Sequence, residues 1–250
     1  MLEPRVEYVL RLADGALLLG QRLSELCGHG PVLEEDIATT NIALDCIGQA
    51  RLLLALAGRL EGQGRDEDRL AFLRNEGEYR NPTLLELPNG DFGRVVLRTF
   101  LYSSFLDVLW PALQTSTDAD LAAIAAKSAK ETRYHREHTA DWVIRLGDGT
   151  DESHRRMRDA LDALWPYTAE LFSKDYVDDA VTRDGFGVAW ATLRDPWLRS
   201  VEAVLAEATL ARPPDTPFLS RGKTGVHTEH LGHLLAPMQH LQRSHPGAKW

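Results

Sequence analysis

From Val6 to Leu26, and again from Leu33 to Leu60, apolar residues recur at helical spacing, and only the turn-rich stretch around Cys27-Gly28-His29-Gly30-Pro31 separates the runs. A link that short makes two long helices lie antiparallel. The pattern repeats downstream, where Phe92 to Leu113 and Asp118 to Leu146 are joined by Gln114-Thr115-Ser116-Thr117, whose hydroxyls suit a helix N-terminus. Between the pairs, residues 65–91 are charged and less periodic, long enough to cross from one end of a bundle to the other. A long crossover is the ferritin-like variant of four-helix topology. Strand signals are nearly absent. Beyond Gly147-Asp148-Gly149-Thr150 the spacing predicts helices over 153–173 (with Pro166 inside), 189–211 and 228–243. The expected fold is all-α: one domain over 1–250, a ferritin-like four-helix bundle in 1–150 with a C-terminal helical layer in 151–250.

Written as alternating steps of three and four, the inward seam of each core helix mixes acids with apolar residues. The first reads Leu10, Asp14, Leu17, Gln21, Ser24, and the second Ala38, Ile42, Asp45, Gln49, Leu52, Leu56. The third reads Val96, Phe100, Ser103, Asp107, Trp110, and the fourth Leu121, Ile124, Ser128, Glu131, His135, His138, Trp142. Each helix thus offers one inward carboxylate. Burying such groups without partners costs several kcal/mol apiece, so a core holding four of them calls for cations, protons or metal.

Di-iron proteins of the ferritin-like kind use a Glu from each of two helices and a Glu-x-x-His pair from each of the others. Here Gly48 stands three residues beyond Asp45, and Tyr134 three beyond Glu131. Both histidines are missing. His135, at i+4 from Glu131, could substitute in one helix, so a di-iron oxidase built on Asp14, Asp45, Asp107, Glu131 and His135 stands as the alternative reading. The favoured one pairs these acids with Arg, His or Gln inside the bundle, with His135 and His138 as candidate counter-ions and Gln21, Gln49 and Tyr134 as hydrogen-bond donors; a surface position for some of the four stays open.

Other signals are weaker. Gly222-Lys223-Thr224 lacks the upstream glycine of a phosphate-binding loop, because Pro217 stands in its place. Arg221 and Lys223 remain candidates for contact with an anion, set in what reads as a solvated flexible loop. His227, Glu229, His230 and His233 could hold zinc, but Thr228 and Glu229 read better as the start of a helix. The tryptophans fall mostly at helical spacing and read as core or interface.

Composition limits the partners. With 28 basic against 37 acidic residues the net charge is −9, which disfavours nucleic acid. Two cysteines without CxxC spacing suit a reducing compartment, the cytoplasm. The N-terminus carries charges throughout, and no apolar run of the ~20 residues that span a bilayer is expected.

Four stretches carry a resemblance: LDCIGQARLLL (44–54), ELPNGDF (86–92), AAIAAKSAKETRYHREHTADWVIRLGDGT (122–150) and HTEHLGHLLAPMQHLQR (227–243). They resemble the structural C subunits of bacterial ring 1,2-phenylacetyl-CoA epoxidases, the phenylacetyl-CoA oxygenases, and the similarity runs end to end, to Trp250. The resemblance implies a ferritin-like subunit without catalytic residues, metal or cofactor of its own, paired with a homologous catalytic oxygenase subunit that carries the di-iron site. It also implies a small bridging subunit and a flavin and iron–sulfur reductase as partners in aerobic phenylacetate degradation. Asp14, Asp45, Gly48, Asp107, Glu131, Tyr134 and His135 then occupy vestigial metal-site positions.

Overall fold

A computed structural model describes residues 2–248; Trp250, the end point of the sequence resemblance, lies outside the described residues. The protein is all-α, as expected, and among the described residues the only β pairing is an isolated bridge between Arg221 and Val226.

The four long helices form where the periodicity predicts them, each fixed by local chemistry. α1 spans Pro4–Ser24, with proline in its first turn and the Glu3 carboxylate accepting from Val6 N at 3.0 Å. α2 spans Leu33–Glu61 and stops at Gly62, whose φ of 68° is the left-handed conformation glycine tolerates best. Beyond that cap the chain folds back tightly: a Cβ on Gly58 would run into the Arg65 carbonyl, so only glycine fits there.

In the expected connection sit a short helix, α3 (Glu67–Phe72), and two 3₁₀ turns, Glu76–Glu78 and Thr83–Leu85. α4 (Phe92–Leu113) is capped by Asp91 and α5 (Ala119–Gly147) by Asp118, each carboxylate accepting from the backbone three residues on at 3.0 and 2.9 Å.

Downstream the boundaries depart from expectation. α6 (Asp151–Leu164) ends before Pro166, and the chain continues as a 3₁₀ helix over Trp165–Phe172. Proline lacks the N–H an α-helix interior needs, so the predicted helix over 153–173 divides there. α7 (Tyr176–Arg183), capped by Asp175, is a helix that the periodicity left out. The stretch predicted over 189–211 is a 3₁₀ turn, Trp190–Leu193, followed by α8 (Arg194–Glu207). α9 spans Glu229–Ser244.

The chain divides into two compact units: Met1–Pro88 with Ser220–Trp250, and Asn89–Leu219. In the first, α1 packs along α2, and α9 contacts α1, α3 and the Glu76–Glu78 turn. In the second, α4 packs along α5, with α6 and α8 against both. Each unit has its own apolar core, the first including Leu18, Leu53 and Leu85, the second Phe100, Phe105, Leu109 and Val143.

α2 differs from the sequence expectation in another respect. By length and composition it could cross a membrane, the one described helix that could, and 56% of its apolar window is buried within the protein. That burial is what a core helix of a folded unit shows.

Candidate metal positions and the buried carboxylates

In the first unit Asp14, on α1, is fully buried. Its carboxylate is bound bidentately by Arg74, with Nη1 at 3.0 Å and Nη2 on the other oxygen, and it accepts from Arg80 N at 2.7 Å. The guanidinium therefore supplies the counter-charge that this buried acid needs. Burial opposes the charge of Arg74, yet the carboxylate of Asp14 outweighs it and holds the arginine above its ordinary pKa. The Arg74 Cζ lies 4.2 Å from the centre of the Tyr79 ring. Burial also pushes the Tyr79 hydroxyl above the usual tyrosine range, and that hydroxyl donates to Ala71 O and accepts from Gln239 Nε2 at 2.8 Å.

Asp45 is only half-buried on α2, with Cys46 and Gln49 on the buried side. At Gly48 a Cβ would meet nothing within 4 Å. The position expected to carry a histidine ligand thus borders open space. Leu52, expected to point inward, is 38% exposed, whereas Leu53 is fully buried. Leu56, further along the same seam, is 2% exposed, so the buried face is centred on Cys46, Ala50 and Leu53, and Leu52 stands at its edge.

The acids of the second unit are paired on a partly exposed surface. Asp107 forms an ion pair with Arg136, the carboxylate lying 3.1 Å from Nε. Glu131 lies 3.3 Å from Lys127 Nζ, one helical turn away on α5. Along α5 the buried line is Ser128, Thr132, His135, Thr139, Val143, so Glu131 stands beside the seam, not in it. Thr132 accepts from the indole of Trp110 at 3.0 Å. Tyr134 is half exposed and stacks on His138, with ring centroids 5.7 Å apart at 26°. His135 is buried.

Arginine, one of the expected partner types, pairs with Asp14 and Asp107 through Arg74 and Arg136, while Glu131 pairs with a lysine, Lys127, that the sequence reading did not name. The residues do not fit a di-iron centre. Within the units, three candidate acids are occupied by basic groups, Gly48 has no ligand atom, and Tyr134 projects toward solvent. Among the described residues no group of three or more His, Cys, Asp or Glu side chains is arranged to hold a metal ion.

The C-terminal signals are also placed differently from expectation. Lys223 is buried, as is Gly222, where a Cβ would come within 2.5 Å of Asn81 O, so this stretch packs into the first unit and is no solvated loop; Arg221 stays exposed. His227 does not share a cluster with Glu229 and His233, both of which face solvent. Its Nδ1 lies 2.8 Å from the Glu86 carboxylate and its Nε2 3.1 Å from Tyr79 O.

Glu86, fully buried, is the strongest polar anchor that the sequence did not mark. Besides His227 it accepts from Thr228 N at 2.7 Å and Asn81 Nδ2 at 3.2 Å, fixing the start of α9 in place of a Thr228 side-chain cap. Arg22 reinforces the corner by donating to Glu86 O. No local pattern identifies Glu86, because its partners at α9 lie more than 140 residues away.

Fold and site together define a class: an all-α chain in which three of the four candidate acids are paired with its own bases. The chain belongs to the phenylacetic acid catabolic protein family, whose model matches residues 2–250. It is 47% identical over 243 residues, 97% of this chain and 98% of the relative, to the C subunit of the 1,2-phenylacetyl-CoA epoxidase of Escherichia coli (strain K12).

Proposed function

We propose that this chain is a non-catalytic structural subunit of a multicomponent phenylacetyl-CoA epoxidase. It supports a homologous di-iron oxygenase subunit in aerobic phenylacetate degradation in the cytoplasm, alongside a small bridging subunit and a flavin and iron–sulfur reductase. The observation that carries this reading is the buried Asp14–Arg74 pair, a metal-site position given over to an ion pair. Such a site serves stability instead of redox chemistry. The likeness to a component of an epoxidase supplies the complex in which the support is needed.

A face for the partner is available on α2, where Leu33, Ile37 and Leu44 are 70%, 52% and 61% exposed on one side of the helix. Exposed leucines so grouped are costly on a free surface and ordinary within an interface. Obligate interfaces bury ~2,000 Å² or more and have an apolar centre. The test is copurification of the tagged chain with the other subunits, followed by metal quantification on each separated chain. Iron on the partner chain alone supports the proposal. Iron on this chain, lost on Glu131→Ala, would replace it with a di-iron oxidase.

A further inference from the structure

The sequence holds four asparagines, Asn41, Asn75, Asn81 and Asn89, followed by Ile42, Glu76, Pro82 and Gly90. An asparagine side chain closes onto the next backbone nitrogen most readily when glycine follows. A β-branched or long neighbour hinders that closure, and proline has no N–H to give. Only Asn89 precedes glycine. Asn89-Gly90 leads into α4 outside any helix or strand, with Gly90 exposed at φ 65°, a conformation that glycine adopts readily. Among the described residues no hydrogen bond engages the Gly90 N–H.

The side chain of Asn89 has a cationic neighbour. Its Oδ1 accepts from Nη2 of Arg98, a fully buried residue on the second turn of α4. A charged donor on a carbonyl oxygen draws electrons from the carbon, and it stabilises the negative charge that gathers on that oxygen when a nucleophile adds. A carboxylate in the same place would suit the guanidinium better than the amide does.

We propose that Asn89-Gly90 is a site of self-modification, at which Arg98 promotes deamidation of Asn89. Gly90 N loses its proton and attacks Asn89 Cγ; a C–N bond forms, the Cγ–Nδ2 bond breaks, and ammonia leaves carrying that proton. Water then opens either carbonyl of the cyclic imide, giving aspartate or isoaspartate, so one water is consumed for each ammonia released. The aspartate product sets its carboxylate against Arg98 as an ion pair and tightens the entry to α4. The isoaspartate product adds a methylene to the backbone just ahead of Asp91, whose carboxylate accepts from Arg94 N at 3.0 Å, and loosens that cap. The site rests on the chemistry of this turn alone and does not depend on the subunit role proposed above.

The test incubates the full-length chain in mildly alkaline buffer, folded or unfolded in urea, and follows all four asparagines by peptide mapping with mass spectrometry. Asn89 should convert in the folded chain at least as fast as in the unfolded one, with ammonia released in step, while Asn41, Asn75 and Asn81 persist. Arg98→Met should slow conversion several-fold in the folded chain and leave the unfolded rate unchanged. Asn89→Asp leaves the buried arginine in place and serves if the methionine variant does not fold; it should raise the urea midpoint. Conversion of Asn89 far slower in the folded than in the unfolded chain overturns the proposal. So does a lowered midpoint for Asn89→Asp, or a folded rate unchanged by Arg98→Met.

Discussion

Replacing Asp14 by Asn leaves the shape of the side chain and removes its charge, so it isolates the role assigned to this carboxylate. In the protein the acid is fully buried, bound by two Arg74 nitrogens and by Arg80 N, and the Arg74 side chain is only 2% exposed. Losing one partner of a buried ion pair strands the other charge, at a cost of about 3–5 kcal/mol. Arg74 keeps contacts with Glu78 O and the Tyr79 ring, which do not neutralise it, so a value near the lower end, about 3 kcal/mol, is expected. Urea denaturation followed by circular dichroism reads this as a lower midpoint at unchanged slope. The double variant Asp14→Leu with Arg74→Leu should recover most of the loss, because two apolar groups leave no orphan charge. A loss below about 1 kcal/mol for Asp14→Asn, or a double variant worse than the single, would refute the claim that the pair is a structural unit.

Further outcomes follow from other contacts. Glu86→Gln should destabilise the chain by about 2–4 kcal/mol, since a buried carboxylate with three donors is lost, and hydrogen exchange should show early opening of α9. Because Tyr79 is raised in the folded protein, the folded state holds that proton more tightly than the unfolded chain. Stability should therefore be intact below about pH 10 and fall as pH rises past it, and Tyr79→Phe should flatten that fall in alkaline urea titrations. Gly48→Ala should stabilise the chain by about 0.5–1 kcal/mol in thermal unfolding, because the added methyl meets nothing within 4 Å. Ile37→Glu with Leu44→Glu should leave circular dichroism unchanged and abolish copurification with the catalytic partner.

The long helices were legible because their apolar spacing and caps are local: α4 matches its expected limits residue for residue, and Asp91 and Asp118 cap where short acids should. That neither Gly48 nor Tyr134 carries an imidazole was likewise plain from sequence alone. What periodicity could not supply was partnership across distance. Asp14 finds Arg74, sixty positions away, and Glu86 finds His227 at 141. Such pairs are set by tertiary packing, which leaves no local signature. The seam also misled where it took the neighbour of a buried position, Leu52 beside Leu53 and Glu131 beside Thr132. Pro166 was visible, yet the change from α to 3₁₀ at Trp165 depends on how the following residues pack, as Trp165 and Leu171 do in the core of their unit.

The most direct measurement is iron quantification on this chain after copurification with its partners, chain separation and no exposure to chelator. Far less than one equivalent is expected, with the metal carried by the catalytic partner. About two equivalents retained here, in the ratio that a carboxylate-bridged pair demands, would contradict a supporting subunit whose acids are neutralised from within.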